Sequence, residues 1–180
     1  MLGFRPRFIR PPEKERLTMT SIFEHLREDH QQIKRALIRL RSVEPGHDPT
    51  GALHELLRRY TAHARAEEQI FYSYLIHIRG VQARALRGLE EHLNLDSLLR
   101  ESENLSREDP NWTTAVATLC EAIDRHLRDE ESSLFTLARG ALSEREAREL
   151  GDRFVAERAR IHRDLSDLEE EPTPPRRAAR

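Results

Sequence analysis

The chain has 180 residues, and its 30 Lys and Arg against 32 Asp and Glu give a formal net charge of −2. Both signs are interspersed, so there is no long cationic field to hold a nucleic-acid backbone, and nucleic acid is not an expected partner. No run approaches the roughly 20 apolar residues of a membrane span and no apolar secretory core stands near the start, so a cytoplasmic protein without a membrane partner is expected.

A length of this order supports one domain with its own core. A hydrophobic content of 37%, a charged content of 34% and only 7 glycines suit an all-α protein with narrow buried stripes and charged outer faces. The single Cys120 cannot form an internal disulfide, and its apolar surroundings predict a small buried side chain.

Residues 1–18, with Arg5, Arg7 and Arg10 among prolines, predict a disordered extension, and Met19 is a candidate initiator. The domain is expected over 19–169, with a bundle at about 20–140 and an extra helix at about 143–169. A second disordered tail is expected over 170–180, where Arg176, Arg177 and Arg180 follow Pro172, Pro174 and Pro175.

The first helix is predicted from Ser21, an N-cap with Glu24 three residues on, to near Ser42, stopped by Pro45-Gly46. His30 falls on its apolar stripe with Leu26, Ile33 and Leu37. A second helix from about Thr50 to Ile78 carries Leu53, Leu56, Leu57, Tyr60, His63, Glu67, Ile70, Phe71 and Tyr74, with Gly80 as its break. The third, from about Val81 to Glu103, carries Leu89, His92, Leu95, Asp96 and Leu99. Asp109-Pro110 supplies the N-cap and first-turn proline of a fourth helix that reaches Arg139-Gly140. A fifth opens at Ser143, where Ser143 and Glu146 form a capping box, and runs through Leu150, Phe154, Ile161 and Leu165. Four consecutive helices with short connections predict an up-down-up-down four-helix bundle with an additional C-terminal helix, and that topology brings the helix midpoints level.

The polar residues on those stripes repeat. His63 and Glu67, like His126 and Glu130, are four apart, which puts each pair on one helix face roughly 6 Å apart. His30 precedes the first pair and His92 the second; 62 residues separate the two single histidines and 63 separate the two paired ones. The blocks HARAEEQIFY at 63–72 and HLRDEESSLF at 126–135 share a His, an Arg, a Glu-Glu pair and an apolar pair in register. One inward His on each of four helices plus an inward Glu on alternate helices predicts a two-ion metal site, because uncoordinated inward carboxylates are costly to desolvate. Four imidazoles and two carboxylates without thiolate suit a pair of iron ions, with manganese, zinc or mixed pairs as weaker alternatives.

The remaining histidines read as bland: His47 in a loop, His54 on the far side of its helix, and His25 and His162 at the surface. His77 shares the face of His63 but lies about 21 Å along the axis. Tyr60, Tyr72 and Tyr74 read as core packing, with a hydrogen-bond donor to the ligands as the alternative role for one of them. Glu68 and Glu131 are expected to face outward or to contact neighbouring arginines, and Asp96 to be a solvated or outer hydrogen-bonding carboxylate.

These segments, with EDH at 28–30 and EEH at 90–92, resemble the hemerythrin-like proteins, in particular the HHE cation-binding group, over about residues 20–140. SEREARELGDRF at 143–154 also resembles the segment that follows in many relatives. The resemblance implies that His30 and His63 bind one iron and His92 and His126 the other. Glu67 and Glu130 would bridge the ions together with a water-derived oxo or hydroxo group. The oxygen-carrying members differ: they have a second His on the third helix, where this chain has Gly88 and Asp96 four residues either side of His92, and an aspartate five residues after the fourth-helix His.

The expected function is therefore a di-iron protein, cycling between Fe2+ and Fe3+, that meets a small oxidant such as O2, H2O2 or NO. Sensing, detoxification or stress protection would follow, with catalase-like peroxide dismutation as the most concrete enzymatic version. Reversible O2 or iron binding without turnover is the alternative, and a metal-free structural bundle is the third reading. Either a monomer or a homodimer is compatible with the sequence.

Overall fold

The computed structural model describes residues 20–44 and 47–170. The extension before Met19, the Pro45-Gly46 stop and the C-terminal Pro/Arg tail lie outside the described residues.

All regular structure among the described residues is helical. Helix α1 (Ile22–Arg41) starts where expected: the Glu24 carboxylate accepts the Ser21 backbone N–H at 2.7 Å and its hydroxyl at 2.9 Å. Helix α2 (Thr50–Glu67) runs on through a π-helical turn, Glu68–Tyr72, into a short α-helical end, Ser73–Leu75. Gly80, at φ 93°, makes the left-handed turn that starts α3 (Gln82–Asn104). Helix α4 begins later than expected, at Trp112, because Asp109 and Pro110 form the preceding turn: the Asp109 carboxylate accepts the Asn111 N–H at 2.8 Å. It runs Trp112–Asp129, passes a second π-helical turn, Glu130–Leu134, and finishes as Phe135–Ala141. Helix α5 (Glu144–Glu170) opens on the predicted capping box, with the Ser143 N–H donating to Glu146 Oε2 at 2.8 Å.

The expected up-down-up-down order is visible in how the core divides. One cluster joins Phe23 and Leu26 from the start of α1, Phe71 and Tyr72 from the end of α2, Ala85 from the start of α3 and Phe135 from the end of α4. The other joins Ile33 and Leu37 from the second half of α1, Leu56 from the first half of α2, Leu99 from late α3 and Leu119 and Ile123 from early α4. Cys120 is buried in this second cluster, as expected. Only alternating helix directions produce that division.

Helix α5 packs on the α1/α2 side and adds Ala147, Leu150, Phe154 and Ile161 to the first cluster. Burial of each large member contributes about 1.5–3 kcal/mol. None of the described helices is long and apolar enough to cross a membrane.

Candidate metal centre

The four inward histidines lie level between the two apolar clusters. His30 and Glu67 and Glu130 are completely buried, and His63, His92 and His126 nearly so. Their donor atoms form two groups. In each of the sets His30/His63/Glu130 and Glu67/His92/His126, one donor atom per residue lies within 4.8 Å of the others, a spacing that one cation can span. Glu67 faces both groups, with Oε2 at 3.5 Å from His63 Nε2 and 3.7 Å from His92 Nε2. Glu130 Oε2 is 3.3 Å from His30 Nε2.

The two π-helical turns begin at or just after these glutamates, and five residues after each Glu an aromatic ring packs against a site histidine. Tyr72 is fully buried and sits edge-on to His92, ring centroids 5.3 Å apart, while Tyr74 packs partly buried against the same cluster. Phe135, its counterpart, stacks on His30 at 5.8 Å. The Tyr72 hydroxyl donates to Glu130 Oε1 at 3.1 Å. Its ring fills the space beside Gly88, which gives a physical reason for the missing second histidine on α3: a side chain at 88 would collide with Tyr72.

Each imidazole also has a carboxylate behind it, and these pair crosswise between helices. Glu131 accepts from His30 Nδ1, Glu68 from His92 Nδ1 and Glu91 from His126 Nδ1, each at 2.9 Å, while Asp29 Oδ2 lies 3.5 Å from His63 Nδ1. A carboxylate fixes the proton on Nδ1 and leaves the Nε2 lone pair directed at the centre. The expectation for Glu68 and Glu131 is thus corrected. Glu68 does bind Arg65, and Glu131 binds Lys34, but both also turn inward to a histidine. Asp96 stands further out, accepting from Arg65 Nη2 at 2.5 Å. Asp29 and Glu91 were not singled out by sequence reasoning. The available signal was that one site residue on each of α1 to α4, His30, Glu67, His92 and Glu130, has an acidic neighbour, but adjacency on a helix points away from the same face.

Burial outweighs the pull of Asp29 and lowers His63 to about 4, so its ring is a neutral donor at ordinary pH. Burial opposes a charge on His30 as well, but the adjacent Glu130 and Glu131 carboxylates raise it above its usual value. Burial, reinforced by the Glu130 charge, pushes Glu67 well up. The same burial acts on Glu130, but the adjacent Glu67 carboxyl and His30 imidazole outweigh it and hold that carboxyl well down.

The donor set fits a metal pair. His30 Nε2, His63 Nε2, Glu130 Oε2 and both Glu67 oxygens are buried without a hydrogen-bond partner. With their Nδ1 protons committed to Glu68 and Glu91, His92 and His126 also direct two Nε2 lone pairs at each other at 2.9 Å, a contact that a cation relieves. The profile of the Hemerythrin HHE cation binding domain matches residues 21–138. The chain belongs to this hemerythrin HHE family. A hemerythrin HHE cation-binding domain-containing protein from Mycobacterium kansasii, solved by crystallography, has the same fold: TM-score 0.74 over 85% of this chain and 94% of that one, at 19% identity. A DNA nickase from Nostoc sp. is 25% identical over 148 residues, which is 81% of this chain and 41% of the nickase, so the chain spans less than half of that relative.

The other histidines stay apart from the HHE centre. His47, His54, His77 and His162 are exposed, while His25, expected at the surface, is half-buried beneath α5 beside Gly151. Tyr60, one turn before His63, is buried edge-on to His92 with no hydrogen-bond partner for its hydroxyl.

Proposed function

We propose that this protein is a cytoplasmic non-haem di-iron protein that reacts with a small oxidant, O2, H2O2 or NO, in the response to oxidative or nitrosative stress. The observation that carries this reading is the convergence of five buried donor atoms that lack a partner, on His30, His63, Glu67 and Glu130. Such groups destabilise a fold unless a cation satisfies them. In this reading His30 and His63 hold one iron, His92 and His126 hold the second, and Glu67 and Glu130 span the pair. When bound, the ions supply exchangeable electrons and open coordination positions for a small oxidant.

The protein contributes position and shielding. Asp29, Glu68, Glu91 and Glu131 keep the imidazoles aimed, and Tyr72 anchors one oxygen of Glu130. Phe135, Phe154, Tyr60 and Tyr72 surround the histidines with rings that exclude bulk water. A cleft of about 190 Å³ bounded by Glu91, Leu95 and Arg125 reaches His126 from outside, room for a diatomic molecule or peroxide. DNA nicking is not carried over, since the shared part is 41% of that relative.

The test is anaerobic reconstitution with ferrous iron, a count of iron per chain, and visible spectra as O2 and then H2O2 are admitted. Two irons with charge-transfer bands support the reading. Sustained peroxide consumption then marks an enzyme, a stable oxygenated spectrum marks a carrier, and no bound iron defeats the proposal.

A further inference from the structure

The two halves of the centre repeat each other in sequence, but the fifth helix packs chiefly on α1 and α2. Three of the four imidazoles have a carboxylate 2.9 Å behind Nδ1. The fourth contact is longer, 3.5 Å from His63 Nδ1 to Asp29 Oδ2, and that oxygen is buried without a hydrogen-bond partner. The position equivalent to Asp29 in the second half is Glu91, one methylene longer, which reaches His126 by itself.

Asp29 is held from α5. The Arg158 guanidinium donates to Asp29 Oδ1, leaving Oδ2 facing His63. One turn earlier on the same helix, Phe154 is fully buried and edge-on to the His63 ring, centroids 5.9 Å apart at 81°. The register is fixed at Gly151, where a Cβ would come 2.9 Å from the Ile22 backbone nitrogen, so the helix lies directly on α1. In the second half the corresponding cation is Arg84 of α3 itself, 3.7 Å from Glu91.

We infer that α5 is a working part of the His30/His63 half of the centre: Arg158, acting through Asp29, is a positioning residue that sets the His63 imidazole, so the two halves bind their cations with unequal affinity and α5 governs one of them. This rests on the reading that both halves hold cations. Without the guanidinium, Asp29 Oδ1 loses its bond, and a cleft of about 380 Å³ lined by Asp29, Arg59 and Arg158 offers the carboxylate water instead. His63 then loses the carboxylate that orients it.

Titration of the full-length metal-free protein with Co2+, followed by visible absorption, tests this. The unaltered chain should take up two Co2+ in two resolvable steps. Arg158→Gln should weaken one step by about 10–100-fold, the range usual for loss of an outer hydrogen-bonding partner, and leave the other within about twofold. The weakened step should be the one that His63→Ala abolishes. Asp29→Glu, which copies Glu91, should restore it in the Arg158→Gln background. Arg145→Gln, at the exposed start of α5, should change neither step. If Arg158→Gln folds poorly, Arg158→Lys, which keeps a donor, should show a smaller loss confined to the same step. Two unchanged steps in Arg158→Gln, or an equal loss in both, overturns the inference alone; no Co2+ uptake by the unaltered chain overturns the metal reading and this inference together.

Discussion

Tyr72 lies against the backbone of Gly88 so closely that a Cβ at residue 88 would sit 2.6 Å from Tyr72 Cζ, and from that seat the phenol reaches Glu130. Gly88→Ala gains about 1 kcal/mol of helix propensity. It must also displace a fully buried ring, and overpacking of that kind costs about 1–3 kcal/mol. The net expectation is a loss of stability in urea denaturation, relieved when Tyr72→Leu is added. Additive effects of the two changes would show that the contact does not constrain α3.

Removing the cations should expose what the carboxylates cost. A metal-loaded chain at a hundredfold excess over Kd gains about 2.7 kcal/mol, so a chelator should lower its melting temperature. Glu67→Gln removes a buried carboxyl that burial and Glu130 already push well up. The variant should show a smaller chelator shift than the parent, while its metal-free form is at least as stable as the parent. A chelator shift as large as the parent's would argue against Glu67 as a ligand.

The aromatic floor beneath the centre should dominate its stability. Phe135 touches His30, Phe23 and Phe71 with ring centroids between 5.6 and 6.4 Å, and is buried. Phe135→Ala should cost about 3–5 kcal/mol through lost burial and the cavity left. Leu93→Ala, at a position 65% exposed, should stay within about 0.5 kcal/mol. Denaturant midpoints that fail to separate the two would contradict the packing.

The start of α5 should carry an acid-sensitive link. Hydrogen bonds from Ser143 and Tyr74 lower Glu146 from its ordinary 4.5 to about 2. A carboxyl depressed on folding contributes stability above its unfolded value and loses it as pH falls through the folded one. The stability difference between the parent and Glu146→Gln should therefore be full above about pH 5 and shrink toward pH 2, read from thermal melts across that range. A difference independent of pH would remove Glu146 from the account.

The helices and the inward facing of the six candidate residues were legible in the sequence because they depend on local rules. Capping at Ser21 and Ser143 uses a side chain three residues away. The four-residue step from His63 to Glu67 and from His126 to Glu130 is a property of any α-helix. What those rules missed is set by neighbours distant along the chain. The helical period does not say which of Tyr60, Tyr72 and Tyr74 reaches the glutamates; a π-helical turn and a gap at Gly88 on another helix single out Tyr72.

By itself, then, the sequence determined which residues face inward, since period and capping are written within each helix. Tertiary structure decided which carboxylate stands behind which imidazole. His30 finds its partner 101 residues away on α4, and Asp29 is held by Arg158, 129 residues away on α5. Those pairings follow from how five helices settle against one another, and no spacing along a single helix encodes that.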